Sequence, residues 1–425
     1  MMIPWLGEYS GPSIAVKRSF DVLLGKMVQP SPATDVDVDV EYFNSASVQW
    51  NGIEENPSKK MWASPPEIPK LSVRSGDLLI CEGGDVGRAA IYSGEPGRIF
   101  QNSVHRARSR QGSDIRYLKY LLISLHGSGW LDILCNKATI AHFTVEKLGS
   151  LEIPDIPTEK QRRIADFLDA ETARIGSLMT TQRQARTVLL ERRAANVFAA
   201  VTGSEIVERM PPKLAWADSL PATWRSVKLG HFARMGSGHT PSRAHPEWWE
   251  DCTIPWITTG EVSQIRDDRR EILTETREWI SEIGLDNSAA ELHPKGTVVL
   301  CRTAASAGYS AVMGEDMATS QDIVTWTCGP KLDPFYLLWC LRAMRADLLG
   351  RLAMGSTHKT IYMPDLQALR IPLPPIVEQH QIVADIRASN TTVDAAVDAL
   401  DRQAALLAER RQALITAAVT GGISV

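Results

Sequence analysis

The chain has 425 residues, of which 44% are hydrophobic and 23% charged, and its formal net charge is −4, so it is long enough for several globular domains and any surface for nucleic acid must be local. The sequence lacks a run of ~18 apolar residues, the length that spans a membrane, and its start lacks the basic and apolar regions of a signal peptide. Six dispersed cysteines without a Cys-x-x-Cys pair favour reduced thiols in the cytoplasm over a disulfide framework or a zinc site.

Residues 1–150 form the first predicted globular domain. Short apolar runs broken by Gly, Pro, Asn and Asp predict strands joined by turns, and a Leu- and Tyr-rich stretch near its end predicts short closing helices. Its loops carry Arg, Lys, His, Ser and Asn side chains, which contact the phosphates and base edges of DNA. The candidate DNA contacts of this domain are Asn44, Ser45, Lys59, Lys60, Arg88, Arg106, Arg108, Lys137 and His142.

Residues 151–203 contain a long predicted helix. Good helix formers dominate the stretch from Thr158 to Ala200, which has no proline. Residues spaced four and three apart, most of them apolar, predict a coiled-coil seam with polar interruptions. The seam residues are Ile164, Leu168, Glu171, Ile175, Leu178, Gln182, Ala185, Leu189, Arg192 and Asn196. Pro157 and Gly203 mark the start and the end, which gives a helix of about 40 residues, roughly 60 Å long.

A linker, a second globular domain and a second long helix follow. Residues 204–223 are rich in proline and are predicted to be the linker, and residues 224–368 repeat the pattern of short strands and closing helices. The second helix is predicted within residues 369–425, between Pro375 and Gly421. The candidate DNA contacts of the second domain are Ser237, Thr240, Arg243, Thr258, Thr259, Arg302, His358, Lys359 and Thr360.

The second half of the chain therefore repeats the first. Residues 151–203 align with residues 369–421 without a gap, at an offset of 218, and the identities cluster at the two ends of the aligned segment. The globular segments match more weakly, as Gly76–Cys81 does with Gly296–Cys301. We predict an α+β fold with two α/β domains, separated by two long antiparallel coiled-coil helices, and an internal pseudo-twofold repeat.

Catalytic motifs are missing from the sequence. It has no G-x-x-x-x-G-K-[ST] loop for ATP, no H-E-x-x-H motif or Cys/His cluster for a metal, and no Gly-x-Ser-x-Gly elbow. The Asn/Asp-Pro-Pro-aromatic signature of adenine methyltransferases is also missing. We therefore predict a non-catalytic chain that holds no metal and no cofactor of its own.

The ordered motifs resemble those of the specificity (S) subunits of type I restriction-modification systems over nearly the full length. The motifs are Met235–Ser242, Ile254–Val262, Gly76–Cys81 with Val86–Ile91, Gly355–Ile361, and the Ile-Pro-x-x-Pro, Glu-Arg-Arg and Ala-Val-Thr-Gly sequences of both long helices. The resemblance implies that residues 1–150 and 224–368 are target-recognition domains 1 and 2, which read a bipartite site in double-stranded DNA. Residues 151–203 and 369–425 would be conserved spacer helices 1 and 2. One departure is that residues 138–142 lack the Gly-Ser-Thr-x-Lys form of the second domain.

The resemblance also implies partner proteins. Two methyltransferase (M) subunits would dock on the helices, and restriction/translocase (R) subunits would join that core, in the cytoplasm and without a membrane. S-adenosylmethionine, ATP and Mg are expected in the partner subunits. The helix-end residues kept in both repeats are the predicted docking surface: Glu191, Arg192, Arg193, Glu409, Arg410 and Arg411.

Two alternatives remain open at the level of sequence. The first is a restriction or modification enzyme that acts alone, against which the missing catalytic motifs argue. The second is a coiled-coil adaptor with two protein-binding domains that binds no DNA, and the Arg-, Thr- and Asn-rich loops weigh against it.

Overall fold

The computed structural model describes residues 5, 9, 11–54, 59–110, 112–135, 142–211, 214–354 and 360–425. It divides the chain into two compact units, of which unit 1 is Met1–Gln182 with Arg402–Val425 and unit 2 is Arg183–Asp401. We call head 1 the part of unit 1 that precedes the first long helix, and head 2 the part of unit 2 between the two long helices. None of the described helices combines the length and the apolarity that crossing a membrane requires.

Short helices and strands make up both heads, and each head is followed by a long helix. The helices are α1 (Val16–Ser19), α2 (Glu67–Leu71), α3 (Ile115–Gly127), α4 (Trp130–Leu134), α5 (Val145–Ser150), α6 (Thr158–Thr202), α7 (Glu282–Asp286), α8 (Pro334–Ala343), α9 (Arg345–Asp347), α10 (Met363–Gln367) and α11 (Ile376–Thr420). The strands are β1 (Ser13–Ala15), β2 (Phe20–Leu24), β3 (Val38–Phe43), β4 (Val48–Gln49), β5 (Gly52–Ile53), β6 (Lys60–Ala63), β7 (Leu78–Cys81), β8 (Ala89–Ile91), β9 (Ile99–Phe100), β10 (Val104–Ser109), β11 (Glu152–Pro154), β12 (Arg209–Met210), β13 (Leu220–Pro221), β14 (Arg225–Lys228), β15 (Ala233–Ser237), β16 (Ile254–Ile257), β17 (Ile272–Leu273), β18 (Glu278–Ile280), β19 (Val298–Cys301), β20 (Ser310–Met313), β21 (Ala318–Thr319), β22 (Ile323–Cys328), β23 (Ala353–Met354), β24 (Thr360–Ile361) and β25 (Arg370–Leu373).

The sheets of the two heads have the same order and the same strand directions. Head 1 has an antiparallel sheet in the order β2-β10-β7-β8, and head 2 has the corresponding order β15-β22-β19-β20, with β17 added in parallel at its edge. Each head also has a three-stranded sheet, β6-β3-β9 or β18-β16-β21, with one antiparallel and one parallel pair. The repeated sequence is thus a repeated fold, which confirms the predicted fold class.

The long helices α6 and α11 are 45 residues each, and both of their ends correspond at the offset seen in the sequence. Each ends before a glycine of positive φ, Gly203 or Gly421, a conformation that costs glycine little. In unit 1, Ile164 near the start of α6 shares a core with Ile415 near the end of α11. In unit 2, Val197 near the end of α6 shares a core with Ile382 near the start of α11. The helices therefore pack antiparallel within each unit.

The buried seam departs from the predicted register along α6. Ile164, Leu168 and Ile175 are buried as predicted, but beyond the middle of the helix the buried residues are Arg193 and Val197 rather than the predicted Arg192 and Asn196. A straight helix drifts about 20° per heptad relative to a 3.5-residue repeat, so four heptads accumulate roughly 80°, close to one residue's rotation. Leu178, a predicted seam residue, is 48% exposed.

Each head is attached to both long helices by repeated polar contacts. The Gln161 side chain accepts a hydrogen bond from the Asp114 N–H at the start of α3 (2.9 Å), and Gln379 does the same for Asp333 at the start of α8 (2.8 Å). The Tyr117 hydroxyl donates to the Val419 carbonyl on α11, and the Tyr336 hydroxyl donates to the corresponding Val201 carbonyl on α6, both at 3.4 Å. These contacts fix each head to the helix pair of its own unit.

The segment predicted as a linker is ordered in its described part. β12 pairs with β13, and the Arg209 guanidinium donates to the Ser219 carbonyl at 2.6 Å. Leu220 is 1% exposed and belongs to the core of unit 2. The segment therefore packs on unit 2 as a short hairpin-like connection.

Candidate nucleic-acid interface

In head 2, several strands end beside one another, and polar residues follow them. Backbone hydrogen bonds join these ends: His239 N–H donates to Thr319 (3.0 Å), Ser320 N–H to Ile257 (2.9 Å), and Arg302 N–H to Asp322 (2.9 Å). We call the recognition edge of head 2 the residues Thr240, Thr258, Arg302, Gln321 and Thr360. The edge gathers residues from five separate segments of the chain, at the ends of strands that belong to three sheets.

Side chains of this edge contact one another. The Thr240 hydroxyl donates to Gln321 Oε1 at 2.6 Å, and Arg302 Nε donates to the Gln321 carbonyl at 3.0 Å. Thr258 caps a short 3-10 turn, since its Oγ accepts from the Gly260 N–H at 3.1 Å. Thr259 beside it is exposed to solvent. The predicted contacts Thr240, Thr258, Thr259 and Arg302 therefore lie together.

The other predicted contacts of head 2 lie at or near this edge where they are described. The Ser237 hydroxyl donates to the Ile323 carbonyl at 3.4 Å. Arg243 is 63% exposed, lies 3.6 Å above the ring of Trp249 and pairs with Glu278 at 3.0 Å. Thr360 begins β24 and bridges to the residue after Arg302. His358 and Lys359 lie outside the described residues.

Head 1 builds its edge with the same backbone hydrogen bonds. Gln101 N–H donates to Phe43 (2.8 Å), Glu82 N–H to Ser103 (2.9 Å), and Phe143 N–H to Glu82 (2.8 Å). The corresponding bonds of head 2 join Ser320 to Ile257, Arg302 to Asp322 and Ile361 to Arg302. We call the recognition edge of head 1 the residues Asn44, Ser45, Glu82, Ser103 and His142.

The side chains of the head 1 edge differ from those of head 2. Asn44 caps a 3-10 turn, and the Ser45 N–H donates to Ser103 Oγ at 3.1 Å. His142, 51% exposed, pairs through Nδ1 with the Glu82 carboxylate at 3.2 Å. The structure thus brings together Asn44, Ser45 and His142, three of the residues predicted to contact DNA.

Lysines stand beside this edge because β6 begins opposite the end of β3. Lys60 is 57% exposed and is 3.7 Å from the Asp39 carboxylate. Lys59 is exposed and makes no ion pair with any residue that the structure describes. An exposed lysine in this position suits a phosphate contact. Lys137 lies outside the described residues.

Three predicted arginines of head 1 are engaged within the protein. Arg106 is 3% exposed and donates to the Lys70 and Ser72 carbonyls, both at 2.9 Å. Arg108 pairs with Asp77 at 2.6 Å. Both point away from the edge because β10 starts at the edge and runs from it. Arg88, 18% exposed, donates to the Ser45 carbonyl at 2.9 Å and supports the edge from behind. We therefore correct their assignment: these arginines hold the fold rather than DNA.

A buried histidine supports the segment that carries His142. His105 on β10 is fully buried, and its Nε2 lies 2.6 Å from the Phe143 carbonyl, next in the chain to His142. Burial lowers the pKa of His105, so the ring is neutral near pH 7 and Nε2–H is the donor to that carbonyl. The counterpart in head 2 is Val324, so this support is specific to head 1.

The predicted docking residues at the helix ends divide into two groups. Glu191, Arg192, Glu409 and Arg410 are exposed. Arg193, 10% exposed, is instead held within unit 2 by Asp394 at 3.1 Å and by the Asp268 carbonyl at 2.9 Å, which corrects its assignment as docking surface. Arg411, its counterpart in unit 1, is half-buried and has no ion-pair partner in the described part of the chain, because Gly176 occupies the position equivalent to Asp394.

Sequence reasoning missed Glu82, Ser103 and Gln321. A signal existed for Glu82, because alignment of the strands that end in Cys81 and Cys301 places Glu82 at the position equivalent to Arg302. Ser103 and Gln321 follow very short strands whose apolar runs are too brief to mark a strand end. No group of His, Cys, Asp or Glu able to hold a metal occurs among the described residues.

Comparison with known proteins identifies the family. The model of the type I restriction modification DNA specificity domain matches residues 47–185 and 221–391. The putative type I restriction enzyme MjaX specificity subunit of Methanocaldococcus jannaschii is 20% identical over 350 residues, which cover 77% of this chain and 75% of the relative. The type I restriction enzyme EcoBI specificity subunit of Escherichia coli is 22% identical over 320 residues, covering 72% of this chain and 65% of that protein.

Solved structures share the fold. A chain from a study of complex assembly and conformational transition in a type I R-M system has a TM-score of 0.70 at 18% identity, with 100% of both chains covered. The HsdS subunit of Thermoanaerobacter tengcongensis has a TM-score of 0.55 at 19% identity, with 98% of this chain and 99% of that chain covered. Because the family model covers most of the sequence, in both halves, this chain belongs to the family of type I restriction modification DNA specificity domains.

Proposed function

We propose that this chain is the DNA-specificity subunit of a type I restriction-modification complex and that each head reads one half of a bipartite DNA site. The observation that carries the proposal is the pair of recognition edges, which share one backbone frame and differ in their side chains. A shared frame presents both heads to DNA in the same way. Different side chains at equivalent positions give two different half-sites.

Partner subunits are proposed to dock on α6 and α11. In unit 1, Leu178 and Leu406 on these helices are 48% and 63% exposed, and in unit 2 Val188 is 60% exposed. Exposed apolar side chains on a helix pair, with Arg192 and Arg410 near them in the chain, suit a protein interface with an apolar centre and a charged rim. The proposed occupants are two methyltransferase subunits, one for each unit, with restriction subunits joining the complex.

The chain itself is proposed to be non-catalytic. Methyl transfer to a base requires that the base be flipped out of the helix, a task for the methyltransferase subunits once the heads have located the site. S-adenosylmethionine, ATP and Mg are proposed to bind the partner subunits. The complex is proposed to work in the cytoplasm, where the chromosome and the reduced thiols are both expected.

The direct test is to map methylated bases in the DNA of cells that make this chain with its methyltransferase subunits. The expected result is one methylated motif with two short specified parts and an unspecified gap, absent when this chain is deleted. Methylation that persists without the chain, or a single continuous motif, would contradict the proposal. An adaptor that does not bind DNA predicts no retarded band when the assembled complex is mixed with the mapped duplex.

Docking has its own test. Charge reversal at Arg192 and Arg410 is expected to weaken the binding of methyltransferase subunits without unfolding the chain, because both side chains are exposed. The exposed Arg162, in the first turns of α6, provides the control, and its reversal is expected to leave assembly unchanged. Normal assembly of the double variant would remove these residues from the interface.

A further inference from the structure

The two recognition edges differ most at the residue that directly follows β7 or β19, the buried strands that end in cysteine. It is Glu82 after Cys81 in head 1 and Arg302 after Cys301 in head 2. In both heads its N–H donates to the loop after β9 or β21, and its carbonyl accepts from the segment that carries His142 or Thr360. One backbone position thus presents an acid in head 1 and a guanidinium in head 2.

The guanidinium of Arg302 is oriented to donate two hydrogen bonds to a planar partner. Its Nε is fixed by the Gln321 carbonyl at 3.0 Å, and Gln321 is in turn held through its side chain by Thr240 at 2.6 Å. The two terminal nitrogens donate no hydrogen bond to any residue in the described ranges. A guanidinium oriented through Nε, with its remaining donors unused, matches the O6 and N7 acceptors that guanine presents in the major groove.

Glu82 cannot read the same base. An ionised carboxylate only accepts hydrogen bonds, so facing it with the two acceptors of guanine would be repulsive. A carboxylate suits an amino group, such as N4 of cytosine. Glu82 also pairs with His142, so head 1 presents an acid–imidazole pair where head 2 presents Arg302 and Thr360.

We propose that Arg302 is a specificity-determining residue that reads a guanine in the half-site of head 2, and that Glu82 excludes guanine at the equivalent base of the other half-site. The inference rests on the proposed function, because it assigns a base to an edge that must first bind DNA. It commits Arg302 to a base contact rather than a phosphate contact. The difference is measurable, because a phosphate contact affects all sequences equally.

The test selects preferred duplexes from a randomised DNA library with the assembled complex of this chain and its methyltransferase subunits. The wild-type complex is expected to prefer a guanine at one position of one half-site. R302Q is expected to lower the preference for that guanine by about 5- to 140-fold, since one bidentate pair discriminates by that range. R302K is expected to keep the preference for guanine but to weaken it, because the lysine ammonium is a point charge that lacks the bidentate geometry of a guanidinium.

One control variant and one variant of head 1 make the result specific. Arg234 lies on the same head, is 64% exposed and pairs with Glu291, so R234Q is expected to leave the preferred sequence unchanged. E82Q is expected to alter the other half-site only. If R302Q and R302K weaken binding to every duplex by the same factor and leave the preference for guanine unchanged, Arg302 contacts phosphate and the inference is wrong. If the wild-type complex selects no motif, the proposed function fails instead.

Discussion

Removing the hydrogen bonds of the Gln379 side-chain amide should loosen the attachment of head 2 to α11. Gln379 is fully buried, and its amide makes three hydrogen bonds with backbone groups: it accepts from Asp333 N–H (2.8 Å) and donates to the Lys331 (3.0 Å) and Pro374 (2.9 Å) carbonyls. The loss of one buried partner costs about 1–3 kcal/mol, because the group left behind has no water to bind. Taking the low end for each bond, we expect Q379M to cost about 3 kcal/mol.

Methionine is the variant of choice because it fills nearly the same volume as glutamine without hydrogen bonds, so the cost of a cavity does not enter. Q379A is expected to be still less stable. The matched variant is Q161M in unit 1, where the equivalent glutamine makes two such bonds, to the Asp114 N–H and the Ile156 carbonyl. Q161M is therefore expected to cost about 2 kcal/mol.

The assay is hydrogen exchange of the native protein followed by mass spectrometry. If exchange proceeds through local opening, about 3 kcal/mol corresponds to roughly 100-fold faster exchange. That acceleration is expected in α8 for Q379M and, to a smaller degree, in α3 for Q161M. Exchange in α8 within about twofold of wild type, or equal acceleration of both heads by Q379M, would refute the reasoning.

Three further perturbations concern the ion pair of Arg193, the buried ring of His105 and the length of the two long helices. R193A should lower the free energy of unfolding of unit 2 by about 3 kcal/mol in urea, because a mostly buried ion pair loses one partner. R411A should lower it little, because Arg411 has no such partner among the described residues. Equal losses for the two variants would contradict this difference between Arg193 and Arg411. Burial lowers the pKa of His105, so the unfolded chain takes up a proton near pH 6.5 that the folded chain refuses. The free energy of unfolding of the wild type should therefore fall as the pH drops below about 6.5, and H105V should weaken this dependence on pH. The same dependence in H105V as in the wild type would contradict the role given to His105. Four helix-forming residues inserted after both Thr181 and Ala399 should lengthen the unread gap by about 6 Å, close to two base pairs, with both half-sites unchanged, and an unaltered gap would mean that the helices do not set the spacing.

Local sequence signals were sufficient to predict the long helices and the repeat. Pro157 and Pro375 before α6 and α11, and Gly203 and Gly421 after them, are local signals that do not depend on distant contacts. The register of the buried seam was less predictable, since the drift of a 3.6-residue helix against a 3.5-residue spacing accumulates along 45 residues. A fixed spacing therefore places Arg192 in the seam, whereas Arg193 is the buried residue.

The recognition edges were only partly predictable, because the role of an arginine depends on partners far away in the sequence. Arg108 and Arg302 look alike in the sequence, but Arg108 pairs with Asp77, the residue before β7. Arg302 has no carboxylate partner among the described residues. In the same way Arg193 and Arg411 share one tripeptide motif, and only the former meets an aspartate on the facing helix. Composition cannot separate such cases, since tertiary contacts decide which cations remain available to a partner.

Exchange of one head tests the central claim most directly. Replacing residues 1–150 with the corresponding domain of a related specificity subunit, followed by mapping of methylated bases in cells that also make the methyltransferase subunits, should change one half of the methylated site. We expect the other half-site and the gap to stay the same, because head 2 and both helices are untouched. A change in both half-sites, or in neither, would contradict the claim that each head reads its own half of the DNA site.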